Sequence, residues 1–188
     1  GFLAVPSDKG LIMLNVAGNN GRLPIRLALL VVLAAAPIRA DQARPFDFFT
    51  PSVAAWRAGS GAPAAQAEPG SPGGVRFCCP FRNGATRVFW DRPGELDLRR
   101  AAMLELDLTC TRPEAIRSFG LYLKSGAGWY LWLTELKEAG RQKIWLSIPD
   151  AAQEGKPAGW NAISGIRIGC NRGMGMNADV VVHSLRIG

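Results

Sequence analysis

The sequence has little of what most catalytic centres need. Its 188 residues contain one histidine, His183, and four cysteines without a Cys-x-x-Cys pair. A single histidine excludes a metal site built from several imidazoles, and the cysteine spacing argues against zinc. Glycine-rich phosphate loops, nucleotide fingerprints and serine nucleophile elbows are absent as well. We interpret His183 as a structural residue of a terminal strand and predict no catalytic and no metal-binding residue.

Paired carboxylates are the one catalytic feature that spacing alone allows. Glu105 and Asp107 lie two residues apart and share one face of a predicted strand. Glycosidases use two carboxyl groups that flank the scissile bond. Pairs of exposed carboxylates are also common on ordinary strand surfaces, so we assign Glu105 and Asp107 to the surface.

Long hydrophobic runs are scarce too. The main apolar run, Leu27–Ala36, has about ten residues, fewer than a bilayer-spanning helix requires. Arg22 and Arg26 precede it, and Pro37-Ile38-Arg39-Ala40 follows it. This order of basic, apolar and small residues is typical of a secretory signal. We predict cleavage after Ala40 and a secreted, periplasmic or cell-envelope location; the alternatives are a buried core helix or a retained anchor.

The chain is predicted to have three parts. Residues 1–40 hold the signal peptide and the residues upstream of Met13. Residues 41–74 are predicted to be a linker, because the stretch 57–74 consists mostly of small residues, proline and glycine that cannot offset the ordering entropy. Four aromatic residues precede that stretch and are expected to dock in part: Phe46, Phe48, Phe49 and Trp56. Residues 75–188 form the folded domain.

Short apolar alternations separated by turn residues recur through this domain and predict an all-β fold, an antiparallel β-sandwich of the jelly-roll kind. One turn of helix is expected within 149–159. The predicted strands are Val75–Phe81, Arg87–Trp90, Met103–Thr109, Ser118–Leu123, Trp129–Leu133, Gln142–Ile148, Ile163–Gly169 and Val180–Ile187.

Alternation along these strands separates a core face from an outer face. The predicted core side includes leucines 104, 106 and 108, the series Phe119, Leu121 and Leu123, and Trp129 with Leu131 and Leu133. The predicted outer face carries Tyr122, Lys124, Tyr130, Trp132, Lys143 and Trp145. Clustered exposed aromatics mark binding surfaces.

Sugar is the ligand that such a face fits. The apolar C–H side of a pyranose stacks on aromatic rings, and its hydroxyls take hydrogen bonds at the ring edges. The predicted binding residues are Trp132, Trp145, Tyr130, Tyr122 and Lys124. The alternative is that the N-terminal segment or a neighbouring domain covers these rings. Net charge is +7, but no basic run interleaved with aromatics is present, so nucleic acid is not expected as a partner.

The domain resembles the galactose-binding-like, carbohydrate-binding-module β-sandwiches of secreted bacterial glycan-degrading enzymes. The segments that carry the resemblance are 87–91, 104–108, 119–123 and, above all, Gly159–Ile168 with its Trp-x-x-Ile-x-x-Ile-x-Ile pattern. The resemblance implies a non-catalytic, glycan-binding accessory domain, in which Trp160 packs in the core. It also implies two alternatives: a structural spacer packing on a glycoside hydrolase domain, or a parent hydrolase whose activity lies beyond Gly188.

Cofactors are not expected. Relatives of this fold often bind structural calcium, and the candidate oxygen ligands are Asp91, Glu95, Asp97 and Asp179, although their spacing matches no known loop. Export permits disulfides. Cys110 could pair with Cys170, or one of these with Cys78 or Cys79; the alternative is four small buried thiols.

Overall fold

The computed structural model describes residues 2–7, 10–15, 45–46 and 53–188. The chain divides into two compact units, Gly1–Ile38 and Arg39–Gly188. In the first unit, strands β1 (Phe2–Ser7) and β2 (Gly10–Asn15) pair antiparallel. The predicted apolar run and cleavage site of the signal peptide lie outside the described residues, as do Phe48 and Phe49.

The described residues of the second unit form twelve strands in two antiparallel sheets. Sheet I has the order β12-β10-β9-β13-β7-β4, and sheet II has the order β11-β8-β14-β6-β5, with β3 also paired to β14. The strands are β3 (Pro45–Phe46), β4 (Arg57–Ala58), β5 (Gln66–Glu68), β6 (Gly74–Cys79), β7 (Arg87–Leu96), β8 (Met103–Cys110), β9 (Ile116–Ser125), β10 (Ala127–Thr134), β11 (Gly140–Ser147), β12 (Ala152–Lys156), β13 (Ile163–Arg172) and β14 (Ala178–Ile187). Three single 3-10 turns span Val53–Ala55, Phe81–Asn83 and Pro113–Ala115. The predicted antiparallel β-sandwich is confirmed.

Side chains from the inner faces of the two sheets fill one core. The alternation predicted for β8 and β9 is confirmed, since the leucines of β8 and the series Phe119, Leu121 and Leu123 are buried. Each such side chain contributes about 1.5–3 kcal/mol relative to an exposed position. At the centre, Trp90 lies 5.0 Å from Phe77, ring centre to ring centre, and its indole Nε1 donates a hydrogen bond to the carbonyl oxygen of Pro63.

Strand β10 has the opposite orientation to the one predicted. Tyr130 and Trp132 point into the core, while Trp129, Leu131 and Leu133 point outward. The cause is the register of the β9–β10 hairpin, in which Tyr130 pairs with Leu123. Directly opposed residues share a face of a sheet, so an inward Leu123 places Tyr130 inward as well.

The stretch 57–74 differs from the predicted flexible linker. Arg57 and Ala58 pair with β7, and Gln66–Glu68 pair with β6, so the backbone extends both sheets at their edges. Trp56 is buried, with its ring centre 4.9 Å from that of Phe77. Small residues lose little side-chain entropy on ordering, and edge pairing satisfies their backbone groups without a large apolar contribution.

The segment 149–159 and the four cysteines were also the subject of predictions. The turn of helix expected in 149–159 is absent; that segment contains β12, which pairs with β10 at the edge of sheet I. All four cysteines are free thiols, and three of them, Cys79, Cys110 and Cys170, are buried. For these three the structure agrees with the alternative of small buried side chains, whereas Cys78 is half-buried.

Candidate ligand-binding face

The six residues predicted to share one outer face lie on three different surfaces. Tyr130 and Trp132 are 5% and 7% exposed, inside the sandwich. Tyr130 stacks on Trp160 at 3.6 Å between ring centres, and Trp132 Nε1 donates to the carbonyl oxygen of Ser147 at 2.8 Å. Trp160 is half-buried and packs against the core, close to the position expected for it. Neither Tyr130 nor Trp132 offers a ring to a ligand.

Trp145 belongs to the outer face of sheet II, on β11. It is 59% exposed, and its neighbour Lys143 donates to Glu105 Oε1 at 2.9 Å. Because β11 and β9 lie in different sheets, Trp145 and Lys143 cannot share a face with Tyr122 and Lys124. Alternation within β11 was predicted correctly, whereas the sheet to which the strand belongs depends on topology.

Tyr122 and Lys124 do lie on an outer face, that of sheet I. Cross-strand pairing arranges this face in rows. The first row is Gly165, Lys124, Trp129 and Glu154. The second row is Arg57, Asp91, Arg167, Tyr122 and Leu131. The third row is Phe89, Gly169, Gly120 and Leu133, and a fourth begins with Arg87 paired to Asn171. Aromatic, charged and glycine residues thus alternate across the sheet.

Glycines in the middle strands make room for a tyrosine ring on this face. A Cβ at Gly120 would lie 2.5 Å from Tyr122 Cε2, and one at Gly169 would lie 3.3 Å from the same atom. The Tyr122 ring therefore occupies space that side chains would fill at both positions, which explains why it is only 6% exposed on an outer face. Gly165, which is directly paired with Lys124, lines a groove on this face together with it.

A cluster of aromatic rings and cationic side chains borders this groove. The Arg167 guanidinium lies 4.3 Å from the ring centre of Phe89 and 4.5 Å from that of Trp129. Lys124 Nζ lies 4.9 Å from the Trp129 ring centre. These distances are within the range of favourable cation–π attraction. The cluster therefore holds its rings and its charges in fixed relative positions.

Asp91 anchors Arg167 within the cluster. Arg167 Nε donates to Asp91 Oδ1 at 2.6 Å, and Nη2 donates to Oδ2 at 2.8 Å. Hydrogen bonding to Asp91 is the main cause that raises the pKa of Arg167, so the guanidinium stays charged. A bidentate pair of this kind fixes the plane of the guanidinium as well as its position.

The groove beside this cluster has a volume of about 460 Å³. Its lining includes Arg57, Phe89, Asp91, Lys124 and Trp129. Sites for small ligands are typically concave, with apolar walls and a few placed polar groups. The groove matches this description.

Sequence reasoning missed three residues of this face. Trp129 was assigned to the core, and Phe89 and Arg167 were not considered as ligand contacts. The available signal was the repeated glycine in β9 and β13, Gly120, Gly165 and Gly169, which marks close approach in a strand. Which side chains these glycines lie beside depends on the pairing register of the neighbouring strands, and no local sequence pattern contains that register.

In the described part of the chain, no group of three or more histidine, cysteine or carboxylate side chains could hold a metal ion. Two of the four candidate calcium ligands are engaged by arginine, Asp91 by Arg167 and Asp97 by Arg99. Asp179 lies 3.8 Å from Arg76. Within the same residues, no helix is long and apolar enough to cross a membrane.

Comparison with known proteins identifies the fold. No protein-family model and no curated protein matches the sequence. Among solved structures, a family 11 carbohydrate-binding module from Clostridium thermocellum, in complex with a β-1,3-1,4-mixed-linked tetrasaccharide, superposes with a TM-score of 0.57. The match covers 77% of this chain and 94% of that one at 10% identity.

The fold is that of a carbohydrate-binding module. A second structure, the family 11 module of the cellulosomal cellulase Lic26A-Cel5E of Clostridium thermocellum, matches with a TM-score of 0.51 and 11% identity, over 71% of this chain and 86% of that one. Because 10–11% identity conserves little beyond backbone geometry, the match defines the carbohydrate-binding-module-like sandwich and leaves the ligand to the chemistry of this chain's own faces. The fold implied by the sequence resemblance is confirmed.

Proposed function

We propose that this chain is a non-catalytic carbohydrate-binding accessory domain of an exported protein, and that it holds glycan in the groove on the outer face of sheet I. The observation that carries the proposal is the groove beside Gly165, which is lined by the rings of Trp129 and Phe89 and by the side chains of Lys124 and Asp91. Such a groove offers apolar ring surface and hydrogen-bonding side chains on the same side.

Of the five binding residues predicted from the sequence, Lys124 lines the proposed site, beside Trp129. Tyr122 lies on the same face, but its ring is buried beside Gly120 and Gly169 and does not line the groove. Trp129, Phe89 and Arg167 join Lys124 as proposed contacts. Asp91 acts as a positioning residue through Arg167.

The test compares two tryptophans on opposite faces. Native gels containing soluble polysaccharides measure retardation of the full chain, of Trp129→Ala and of the matched control Trp145→Ala. We expect Trp129→Ala to weaken binding about tenfold, the usual effect of losing an aromatic anchor. Trp145→Ala should bind as the unsubstituted chain does, because its ring lies on the outer face of sheet II. Thermal unfolding of each variant checks that the fold is retained.

The reverse pattern, with binding lost in Trp145→Ala and kept in Trp129→Ala, would move the site to the outer face of sheet II. There Trp145 would act as the sequence predicted, without Tyr130 and Trp132.

A second candidate function is a structural spacer that packs on a glycoside hydrolase domain. One observation favours it: Leu133 and Trp145, exposed by 55% and 59%, line the same groove where β10 and β11 meet. Exposed apolar pairs of this size are common at domain interfaces. A chain that binds no polysaccharide at all would favour this candidate.

A further inference from the structure

The rings of the proposed site are already in contact with cations of the protein. Phe89 has Arg167 at 4.3 Å and Arg87 at 5.9 Å, and Trp129 has Arg167 at 4.5 Å and Lys124 at 4.9 Å. The Tyr122 ring lies 5.5 Å from the Arg87 guanidinium. A neutral sugar stacks best on a bare ring face, whereas here a ligand meets a layer of cations held on rings.

The charges on this face do not cancel. Its rows contain four cations, Arg57, Arg87, Lys124 and Arg167, and two carboxylates, Asp91 and Glu154. Asp91 is taken by Arg167. Within residues 53–188, Arg57, Arg87 and Lys124 take part in no ion pair. Three cations of the face are therefore available to a ligand.

The outer face of sheet II is different. Its basic side chains pair with carboxylates: Arg141 with Asp107 at 2.7 Å, Lys143 with Glu105 at 2.9 Å, and Arg76 with Glu68 at 2.5 Å. Of the two outer faces, the one proposed above to bind glycan therefore carries the cations without carboxylate partners.

We propose that the glycan held on the outer face of sheet I is an acidic polysaccharide, one whose sugar units carry carboxylates. This inference rests on the proposed function. Uronate carboxylates accept charge-assisted hydrogen bonds from Arg57, Arg87 and Lys124 while the sugar rings lie in the groove. Several weak cation–carboxylate contacts along one chain add up, and the net positive face speeds the encounter at low salt.

The experiment uses the full chain and two polymers that differ in charge alone. Isothermal titration calorimetry measures binding to sodium polygalacturonate and to its fully methyl-esterified form, with alginate as a second uronate and a mixed-linked β-glucan as a neutral polymer. We expect binding to a uronate polymer, at least about tenfold weaker binding to the ester, and affinity that falls as sodium chloride is raised.

Substitutions locate the effect. Arg57→Gln and Lys124→Gln should each weaken uronate binding about fivefold, the upper range for exposed charge pairs. Lys143→Gln removes a cation from the outer face of sheet II and serves as the matched control, with unchanged affinity. Thermal unfolding confirms that each variant is folded.

The alternative outcomes are distinct. Equal binding of the acid and its ester, or binding of the neutral glucan alone, overturns the acidic ligand and leaves the proposed carbohydrate-binding function standing. Binding to none of the polymers overturns both. Equally tight binding to single-stranded DNA, lost in the same variants, would show a general polyanion surface and overturn the assignment to acidic polysaccharide.

Discussion

At the scale of single residues, glycine shapes the proposed site more than any polar group. Tyr122 lies over Gly120 and Gly169, and its own outward strand position would otherwise expose its ring fully to solvent. Trp129 meets the Tyr122 ring edge to face, with 6.4 Å between ring centres. The position of the Tyr122 ring, and of Trp129 against it, therefore depends on the absence of a side chain at Gly120.

Gly120→Ala tests that dependence. Its Cβ would lie 2.5 Å from Tyr122 Cε2 and 3.0 Å from Leu133 Cδ2, so the Tyr122 ring must move. We expect a loss of about 1–3 kcal/mol in the free energy of unfolding, as for overpacking elsewhere, together with weaker glycan binding. Urea denaturation measures the first quantity.

Gly175→Ala is the matched control for this substitution, because a Cβ there meets nothing within 4 Å. Its stability should change by less than about 0.5 kcal/mol. If Gly120→Ala changes the free energy of unfolding as little as Gly175→Ala does, the Tyr122 ring is free to shift and its position on this face is not fixed by packing.

At the scale of strands, the sequence predicts the buried face of a strand where apolar and polar residues strictly alternate. In β8, leucine alternates with polar residues, and the core face followed directly. In β10, Trp129-Tyr130-Leu131-Trp132-Leu133 is apolar at every position, so alternation carries no direction and hairpin register decides. The placement of β9 and β11 in different sheets depends on the topology of the whole sandwich, which no local pattern contains.

The pairing of β8 with β11 makes a prediction about pH. Arg141 donates to both oxygens of Asp107, at 2.8 Å and 2.7 Å, and these hydrogen bonds are the main cause that lowers the pKa of Asp107. A lowered folded-state pKa means that the stabilisation is present above the unfolded value of about 3.9 and is lost as pH falls through the folded pKa.

Asp107→Asn should therefore lower stability at neutral pH and make it less sensitive to acid. Urea midpoints of the unsubstituted chain and the variant should converge between about pH 4 and about pH 2. Asp150→Asn changes an exposed carboxylate that forms no ion pair with residues 53–188 and should leave the acid sensitivity as it is. A constant gap between the curves at all pH values would mean that protonation of Asp107 does not weaken the fold.

At the scale of the whole molecule, the sandwich separates two kinds of charged surface. Sheet II has its cations paired on its outer face, while sheet I presents cations without carboxylate partners among the described residues. The net charge of +7 is therefore distributed unevenly. An uneven distribution orients the domain as it approaches an extended acidic ligand, so that the outer face of sheet I meets the ligand first.

Such a ligand lies outside the cytoplasm, which makes export part of the same hypothesis. The apolar run Leu27–Ala36 with Arg26 before it predicts a cleavable signal. Expressed in a bacterium with a general secretory pathway, the chain should appear in the periplasm or medium with Asp41 as its first residue, as read by intact-mass spectrometry. Leu30→Arg interrupts the apolar run and should keep the chain uncleaved in the cytoplasm, because a charged residue opposes insertion into the membrane. Recovery of the unsubstituted chain from the cytoplasm with residues 1–40 intact would contradict export and leave the groove to a ligand found inside the cell.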